Sequence, residues 1–411
     1  MITGYVQSVD RGFFPLDEEL GLLPGKLTPQ GHENLVRLGS WMPFEQAVKI
    51  YGDLMGIHVS RIVSQRYTEE AGATYEEIQD EEVVRLEKEM PEPQAGSERL
   101  QVSADGAMVP LVHGIWAEVK TVVIGEVQKA IEKKGELSVR TQSMSYFSRK
   151  TDAETFGNLA LVEFHRRGVE KAQAVAAIMD GAEWEQGFID YHCPQATRIL
   201  DFAHAAEHVS AIGQAMYGEN APESQTWLKQ QLHYLKHHGP DQLLLDVQEL
   251  KAQYPDSQEI AKNLAYLTKR QEQMRYPTFQ AQGWPIGSGI VESANKIVVE
   301  ARLKGSGMHW AEEHVNPMLC LRNIICSDRW NEEWPKIEAR LRSQTRKRRE
   351  ALYRKRHPAP QKASLPDVLP ATPETIIHEP TPNFPPQPKS NPWRNFKHGK
   401  ALFQRPPSPK N

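Results

Sequence analysis

The sequence is poor in cysteine and has no long apolar run. Its three cysteines, Cys193, Cys320 and Cys326, are too few and too scattered for a disulfide framework or a four-ligand zinc site, so we do not predict zinc. No apolar stretch approaches the roughly 18 residues that a membrane helix needs, and the N-terminal string MITGYVQSVDRGFF lacks the apolar core of a secretion signal. A reducing cytoplasm fits these absences best.

The charge of the chain is unevenly distributed. Its 411 residues carry a net charge of −4, which does not by itself suggest a nucleic-acid-binding protein. Residues 340–356 are nevertheless strongly basic, whereas residues 69–98 are acidic. An enzyme that holds divalent metal ions with carboxylates can be near neutral overall and still present a basic face to DNA. The length predicts two to three domains at about 150 residues each.

Residues 1–72 predict a small helical module. The segment PFEQAVKIYGDLMG has apolar residues at helical spacing, Gly56 ends it, and Ser60 is a plausible N-cap for a second helix. Two helices joined by a short glycine-containing turn are typical of a helix-turn-helix DNA-binding module, but also of a small helical packing unit. Residues 73–98 are acidic and predict a solvated helix or a linker.

Residues 99–204 have the pattern of an α/β domain. LQVSADGAMVPL and WAEVKTVVIGEVQ predict an antiparallel strand pair, and a polar gap separates this pair from a helix at TDAETFGNLALVEFHRRGV. AQAVAAIMDG predicts a buried strand, GAEWEQGFIDYHCP a helix, and ATRILDFAHAAEHV a strand that passes directly into a helix. An antiparallel pair followed by alternating helices and strands predicts a mixed sheet.

The remainder of the chain is predicted to be helical and then disordered. Residues 205–285 predict an all-helical segment, residues 286–330 a Gly-rich turn followed by helices, and residues 331–356 a basic helix. Residues 357–411 hold about half of the chain's 29 prolines, are basic and contain few apolar residues. Such a segment cannot bury a core, so we predict a disordered tail.

Three carboxylates stand where a phosphoryl-transfer enzyme would need them. Asp105 lies within the first predicted strand of the α/β domain, Asp180 ends a later apolar strand, and Glu292 starts a helix after a Gly-rich turn. Carboxylates at strand ends and a helix start can converge at one edge of a sheet, where they could hold two magnesium ions about 3.5–4 Å apart. Asp-Gly is also a common turn signal, and a glutamate at a helix start also suits the helix dipole, so the spacing alone leaves structural roles open.

A long stretch of the sequence has specific strings, from GFFPLDEELGLLPGKLTP at residues 12–29 to CSDRW at residues 326–330, and its most specific part is GWPIGSGIVESANKIVVEARLKGSGMHW. This stretch has a resemblance to the ISKra-type insertion-sequence transposases, a bacterial group related to the Mutator-like DDE enzymes. It implies an α/β RNase H-like catalytic core that is interrupted by a helical insertion at residues 205–285 and completed by residues 286–330. It also implies that Asp105, Asp180 and Glu292 bind two Mg²⁺ or Mn²⁺ ions.

The resemblance further implies an activity and partners. The expected activity is DNA cleavage and strand transfer at element ends, with terminal inverted repeats and target DNA as substrates, in a nucleoid-associated homodimer or larger assembly. Relatives commonly carry a Cys-rich segment before the GFFPLDE block, but Met1 to Arg11 contain no cysteine. Either this member dispenses with that module or the reading frame has lost its true start. The alternatives are therefore an inactive DNA-binding remnant, or an RNase H-like nuclease that needs no element ends.

Further side chains are candidates for contacts near the metals or along DNA. The string DFAH matches a motif of related transposases and implies a role for Asp201 and His204, although Asp201 could simply cap the following helix. Lys296 shares a helix face with Glu292 and could approach a phosphate or pair with that glutamate. Two tryptophans beside this helix, Trp284 and Trp310, could stack on an unpaired base or pack in the core. The remaining predicted phosphate contacts are Arg302, Lys304, Arg346, Lys347 and Arg348.

Overall fold

The computed structural model describes residues 4–6, 9–13, 27–93, 96–133, 136–219 and 221–356. The predicted disordered tail at residues 357–411 lies outside the described residues, as does most of the GFFPLDEELGLLPGKLTP string. Across the described helices, none combines the length and the apolar character that crossing a membrane requires.

The secondary structure begins with strands and then alternates. The strands are β1 (Gly4–Val6), β2 (Val9–Phe13), β3 (Arg99–Pro110), β4 (Trp116–Val127), β5 (Ile131–Lys133), β6 (Glu136–Ser138), β7 (Thr141–Arg149), β8 (Ala174–Met179) and β9 (Thr197–Leu200). The α-helices are α1 (Pro29–Trp41), α2 (Phe44–Met55), α3 (Arg61–Glu89), α4 (Ala153–Arg166), α5 (Glu183–His192), α6 (Phe202–Tyr217), α7 (Pro222–His238), α8 (Asp241–Gln253), α9 (Gln258–Lys269), α10 (Tyr276–Ala281), α11 (Gly289–Ala294), α12 (Ala301–Leu303), α13 (Glu312–Cys326) and α14 (Trp330–Arg356). A π-helical turn, Asn295–Glu300, joins α11 to α12, and short 3₁₀ helices span Val112–Gly114, Val169–Lys171 and Gln271–Met274.

The central sheet is mixed and has five strands in the order β7–β4–β3–β8–β9. The strands β3, β4 and β7 pair antiparallel, whereas β8 runs parallel to β3 and β9 runs parallel to β8. This arrangement confirms the predicted mixed sheet and the predicted antiparallel pair. The pairs β1–β2 and β5–β6 form two separate small sheets that the sequence did not predict.

The strand β7 occupies the segment that was predicted to be a polar gap, and that prediction is wrong. The strand buries polar side chains such as those of Ser148 and Arg149, and these side chains are hydrogen-bonded. The hydroxyl groups of Ser148 and Thr121 are 2.9 Å apart, the Ser148 N–H donates to Asn323 at 3.1 Å, and Arg149 donates to Gln79 at 2.6 Å. Buried polar groups are tolerated when they are hydrogen-bonded, so the low hydropathy of this segment concealed a strand.

The two faces of the sheet carry different helices. Residues of β3 alternate: Leu100 and Val102 pack in the cluster that includes α4 and α5, whereas Ala107 and Val109 pack with α11, the π-helical turn and α13. Because successive side chains of a strand point to opposite faces, Asp105 lies on the second face, with Ala107 and Val109. The predicted strand and helix positions of this domain are otherwise confirmed.

Residues 205–285 are helical as predicted and pack on the sheet as one unit. The helices α6 to α10 share a hydrophobic cluster with the buried strand residues Ala176 and Ile178. The Tyr276 hydroxyl donates to the carbonyl of Leu200 at 3.1 Å, which ties α10 to the end of β9. We refer to residues 205–285 as the insertion.

The N-terminal helices belong to the same packed body as the C-terminal ones. As predicted, Gly56 ends α2 with a φ of +66°, and the Ser60 side chain caps α3. The predicted helix in residues 73–98 is confirmed as far as Glu89, but it is not solvated all round, because α3 buries one face. The buried residues recur at near-helical spacing and are Tyr75, Gln79, Val83 and Leu86.

The acidic helix α3 and the basic helix α14 lie side by side. Arg340 pairs with Glu81 at 2.5 Å, and Arg348 pairs with Glu70 at 2.7 Å. Gln344 adds a hydrogen bond to Glu77 between the same helices. The acidic residues of α3 therefore neutralise part of the positive charge of α14.

Candidate active site

The pairing of three parallel strands brings three aspartates level. The strands β3 and β8 are paired as far as Val102, and continuing that register by three residues places Asp105 beside Asp180. The strands β8 and β9 are paired as far as Leu200, so the next residue, Asp201, is level with Asp180. Since neighbouring strands lie about 4.8 Å apart, the three aspartates form a row at the carboxyl ends of β8 and β9.

The predicted site residues surround one cavity of about 550 Å³. The aspartate row and the Gly-rich turn at residues 286–289 both contribute to its lining. Clefts outside the carboxyl ends of parallel strands are common ligand sites in α/β proteins. The predicted residues that line the cavity are Asp105, Asp180, Asp201, His204 and Glu292.

Asp105 is a half-buried carboxylate that is held at both oxygens. It accepts a hydrogen bond from the Gly106 N–H at 2.6 Å and another from the Asn295 side-chain amide at 2.9 Å. Burial raises the pKa of Asp105, and the charge of Asp180 raises it further, whereas the bonds from Gly106 and Asn295 lower it. The two carboxylates are therefore close enough to repel each other in a space that is poorly solvated.

The turn after β8 is shaped around Asp180. The Asp180 side chain accepts from the Ala182 N–H at 2.8 Å, and Gly181 adopts a φ of +85° that glycine tolerates readily. The Gly181 N–H donates to Glu185 at 3.1 Å. Glu185 is fully buried in the first turn of α5, and burial, with its hydrogen bond to Asp180, raises its pKa to about 10.

Glu185 was not predicted as a site residue. Its only signal in the sequence is a position five residues after Asp180, at the start of a helix. Acidic side chains are common in the first turn of any helix, so that signal does not separate a site residue from an ordinary one. The contact with Asp180 becomes visible only when the helix is placed against the strand end.

Asp201 caps the helix α6, which was the predicted alternative to a role near the metal ions. One carboxylate oxygen accepts from the His204 N–H at 2.8 Å and caps α6, and the other accepts from the Ser288 N–H at 2.5 Å. The carboxylate thereby joins β9, α6 and the Gly-rich turn. The His204 side chain is 33% exposed, borders the cavity and lies 3.5 Å from Glu207.

Glu292 borders the cavity but is turned toward solvent. Its side chain is 68% exposed and accepts from Lys296 at 2.5 Å, which is the helix-pair alternative predicted for that lysine. Asn295, on the inward side of the same helix, is the residue that reaches Asp105. The π-helical turn starts at Asn295, and such turns are frequent at functional sites.

A divalent cation fits the aspartate pair better than the full triad. Within the described part of the chain, no group of three or more His, Cys, Asp or Glu side chains is arranged to hold a metal ion. Magnesium commonly uses only one or two carboxylates and completes its shell with water and substrate phosphates. A cation between Asp105 and Asp180 would also relieve the repulsion that raises the pKa of Asp105. Glu292 would have to leave Lys296 to join it.

The predicted phosphate contacts differ in their availability. Arg302 is 2% exposed, donates to the Gly39 carbonyl at 2.9 Å and lies against the rings of Phe44 and Trp310, so its burial removes it from the predicted DNA surface. Lys304 is partly exposed and pairs with Glu300 at 2.9 Å.

The basic residues of α14 are split between two faces. Arg348 is engaged by Glu70 of α3, whereas the Arg346 side chain is 77% exposed, and Lys347 is exposed as well. An exposed basic face therefore remains on this helix after the pairing with α3.

Both tryptophans beside the Glu292 helix are packed, which is the alternative to base stacking. Trp284 is 4% exposed and lies under the Arg99 guanidinium at 3.9 Å. Trp310 is 7% exposed and donates its indole N–H to the Leu303 carbonyl at 3.1 Å.

The chain matches no known protein-family profile and no curated protein sequence. A functional assignment therefore depends on the site residues and their geometry.

Proposed function

We propose that the protein is the DDE transposase of an insertion sequence, an enzyme that cleaves DNA at element ends and transfers the strands with the help of divalent metal ions. The observation that carries this proposal is the placement of Asp105 and Asp180 side by side near the carboxyl end of β8, with Glu292 in the lining of the same cavity. The strand order β7–β4–β3–β8–β9, with two parallel strands after three antiparallel ones, supports an RNase H-like core.

The residues of the cavity have distinct roles in this proposal. Asp105 and Asp180 hold the metal ions, and Asn295 orients Asp105. Bound Mg²⁺ or Mn²⁺ supplies polarisation of the scissile phosphate and activation of a water molecule or a 3′-hydroxyl. His204 borders the cavity, where its imidazole can contact the phosphate, and Asp201 fixes the start of the helix that carries it. Glu292 completes the carboxylate set when it turns inward from Lys296.

DNA binding in this proposal depends on phosphate contacts around the cavity and along α14. Lys296 and Lys304 lie on the helical segment that borders the cavity, and Arg346 and Lys347 lie on the exposed face of α14. Such contacts give an affinity that falls steeply with salt and is independent of sequence. Since two element ends must be handled together, we propose that a homodimer or larger assembly forms on DNA.

The second candidate is a non-catalytic DNA-binding remnant of such an element. The pairing of Glu292 with Lys296 favours it, because a triad that never assembles would leave DNA binding without cleavage. A general RNase H-like nuclease is the third candidate, and it would cleave DNA without element ends.

The test is cleavage of a DNA duplex that carries the inverted repeats flanking the gene, with and without Mg²⁺. We expect Mg²⁺-dependent cleavage by the wild type and a loss of more than about 100-fold in Asp180→Asn, since even a partner of a metal ligand is worth 10–100-fold. The matched control is Asp190→Asn, which changes an exposed aspartate on the following helix, α5.

Three results would contradict the proposal. Binding of the repeats without any cleavage that depends on Asp180 would support the remnant. Cleavage of repeat-free DNA at an equal rate would support the nuclease. Equal activity of the Asp180→Asn and Asp190→Asn variants would show that Asp180 has no part in the reaction.

A further inference from the structure

The insertion contacts the turn after β8 through two side chains: Tyr266, which lies in α9, and Arg270, which directly follows that helix. The Tyr266 hydroxyl donates to the carbonyl oxygen of Asp180. Arg270 donates to the carbonyl oxygen of the next residue, Gly181, through Nε at 3.1 Å and through a second nitrogen. Both acceptors are main-chain atoms, so these bonds restrain the path of the turn without occupying the Asp180 carboxylate.

The two donors are themselves held in place. The Arg270 guanidinium lies over the Tyr266 ring at 3.7 Å, and the His208 ring stacks on the same tyrosine with centroids 3.7 Å apart. His208 is fixed in turn by Asn263, whose side-chain oxygen lies 2.6 Å from its Nδ1. Arg270 is 6% exposed. A side chain whose neighbours lock its rotamer can place a hydrogen bond accurately, which is the property that a positioning residue needs.

Gly181 shows that this close approach is built into the turn. A Cβ atom at this position would lie 2.4 Å from Nε of Arg270 and 2.7 Å from the Tyr266 hydroxyl oxygen. The positive φ also favours glycine here. On the opposite side, Glu185 accepts the Gly181 N–H. The turn is therefore bonded from the insertion on one side and from α5 on the other.

We propose that Tyr266 and Arg270 are positioning residues, through which the insertion holds the Asp180 carboxylate level with Asp105. Magnesium demands near-ideal octahedral geometry, so a displacement of this turn by a fraction of an ångström would weaken magnesium binding. The consequence for catalysis rests on the proposed function, whereas the restraint on the turn does not. The insertion thus has a role inside the site in addition to any contact that its outer surface makes with DNA.

The first experiment measures the restraint directly on the full chain, without metal or DNA. Hydrogen exchange followed by mass spectrometry reports the amides of Gly181 and Ala182. In Tyr266→Phe we expect these amides to exchange about 5-fold faster, the equivalent of roughly one hydrogen bond, with a melting temperature lowered by no more than about 4 °C. The matched control is Tyr234→Phe, an exposed tyrosine of the insertion that is 41% accessible, which should leave exchange at the turn unaltered.

The second experiment titrates Mg²⁺ into the same proteins by calorimetry, without DNA. We expect Tyr266→Phe to raise the Mg²⁺ dissociation constant by about 10-fold, as for other partners that orient metal ligands. Arg270→Lys keeps the charge and can donate through a single nitrogen where arginine uses two, so it should fall between the wild type and Arg270→Met.

The outcomes separate this inference from the proposed function. Unaltered exchange at residues 181–182 in both Tyr266→Phe and Arg270→Met would overturn the restraint, whatever the activity. Faster exchange with an unchanged Mg²⁺ dissociation constant would overturn the positioning role. A wild type that binds no Mg²⁺ would contradict the proposed metal chemistry instead, and the exchange data would still decide the restraint.

Discussion

The two sides of the cavity hold their carboxylates in different ways. On one side, Asp105 lies in β3 and Asp180 directly follows β8. The Gly181 N–H donates to Glu185 of α5, Tyr266 of α9 donates to the Asp180 carbonyl oxygen, and Asn295 donates to Asp105. On the other side, Glu292 stands at the start of a short helix, 68% exposed, with a single ion pair to Lys296. One side of the site is therefore preorganised and the other is free to adjust.

This difference suggests an order of assembly. Under the proposed function, a rigid aspartate pair would bind a hydrated cation before DNA, because it requires no rearrangement of the backbone. The Glu292 side chain would then exchange Lys296 for the cation when DNA phosphates compete for the lysine. Regions that move during function are drawn from the weakly held parts of a protein, and the Glu292 side has that character.

The largest expected contrast comes from one glycine on each side. Gly181→Ala should lower the free energy of unfolding by about 2–3 kcal/mol, since it combines an unfavourable φ with a clash against Arg270 and Tyr266. Gly289→Ala at the start of α11 has nothing within 4 Å of the added methyl group, and should stabilise the protein by up to about 1 kcal/mol. Urea denaturation measures both, and equal effects would contradict the asymmetry.

The next contrast compares two carboxylates of the cavity. Asp201→Ala removes a helix cap and the acceptor of the Ser288 N–H, so it should cost about 1–2 kcal/mol of stability. Glu292→Ala removes only an exposed ion pair and should cost less than about 0.5 kcal/mol. Both values are accessible from urea titrations. A cost for Glu292→Ala as large as that for Asp201→Ala would show that the glutamate side is also rigid.

Added Mg²⁺ should stabilise the protein through the aspartate side alone. At a concentration about ten times the dissociation constant, binding should add about 1.4 kcal/mol, or a rise of about 2–4 °C in melting temperature. We expect this rise in the wild type and in Glu292→Gln, but not in Asp105→Asn or Asp180→Asn. If the rise in melting temperature disappears in Glu292→Gln, Glu292 already binds Mg²⁺ in the absence of DNA.

The smallest effect is expected from the lysine that holds the glutamate. Lys296→Ala should change stability very little, and the change should shrink in high salt because the pair is exposed. Asn295→Ala, one residue earlier, removes a buried donor to Asp105 and should cost more. Melting curves at low and high salt test both variants, and a salt-independent loss for Lys296→Ala would argue for a structural role.

Much of the fold follows from local patterns in the sequence. The buried strand β8 and the cap at Ser60 are determined by neighbouring residues, and they were predicted. The strand β7 was missed because its burial depends on partners such as Thr121 and Asn323, which are remote in the chain. The buried face of α3 was missed because acidic residues outnumber apolar ones in this segment and hide the helical spacing of the apolar residues.

The candidate site divides in the same way. Asp105 and Asp180 could be proposed from the sequence because each follows or interrupts an apolar strand. Their supporting residues could not, since Arg270 lies 89 positions from Gly181 and contacts it only through tertiary packing. Arg302 shows the converse error: a cation was assigned to the surface, yet its guanidinium is enclosed by aromatic rings and a carbonyl group.

The contact between α3 and α13 has a consequence for how the protein is made. At Gly72 a methyl group would meet the Pro317 carbonyl oxygen at 2.1 Å, so the two helices touch backbone to backbone. The apolar faces of α1 to α3 are covered by residues of α13 and α14 up to Leu341, which are synthesised long after them. We therefore expect the tyrosines and leucines of this face to stay uncovered on the nascent chain until α13 and α14 have been synthesised.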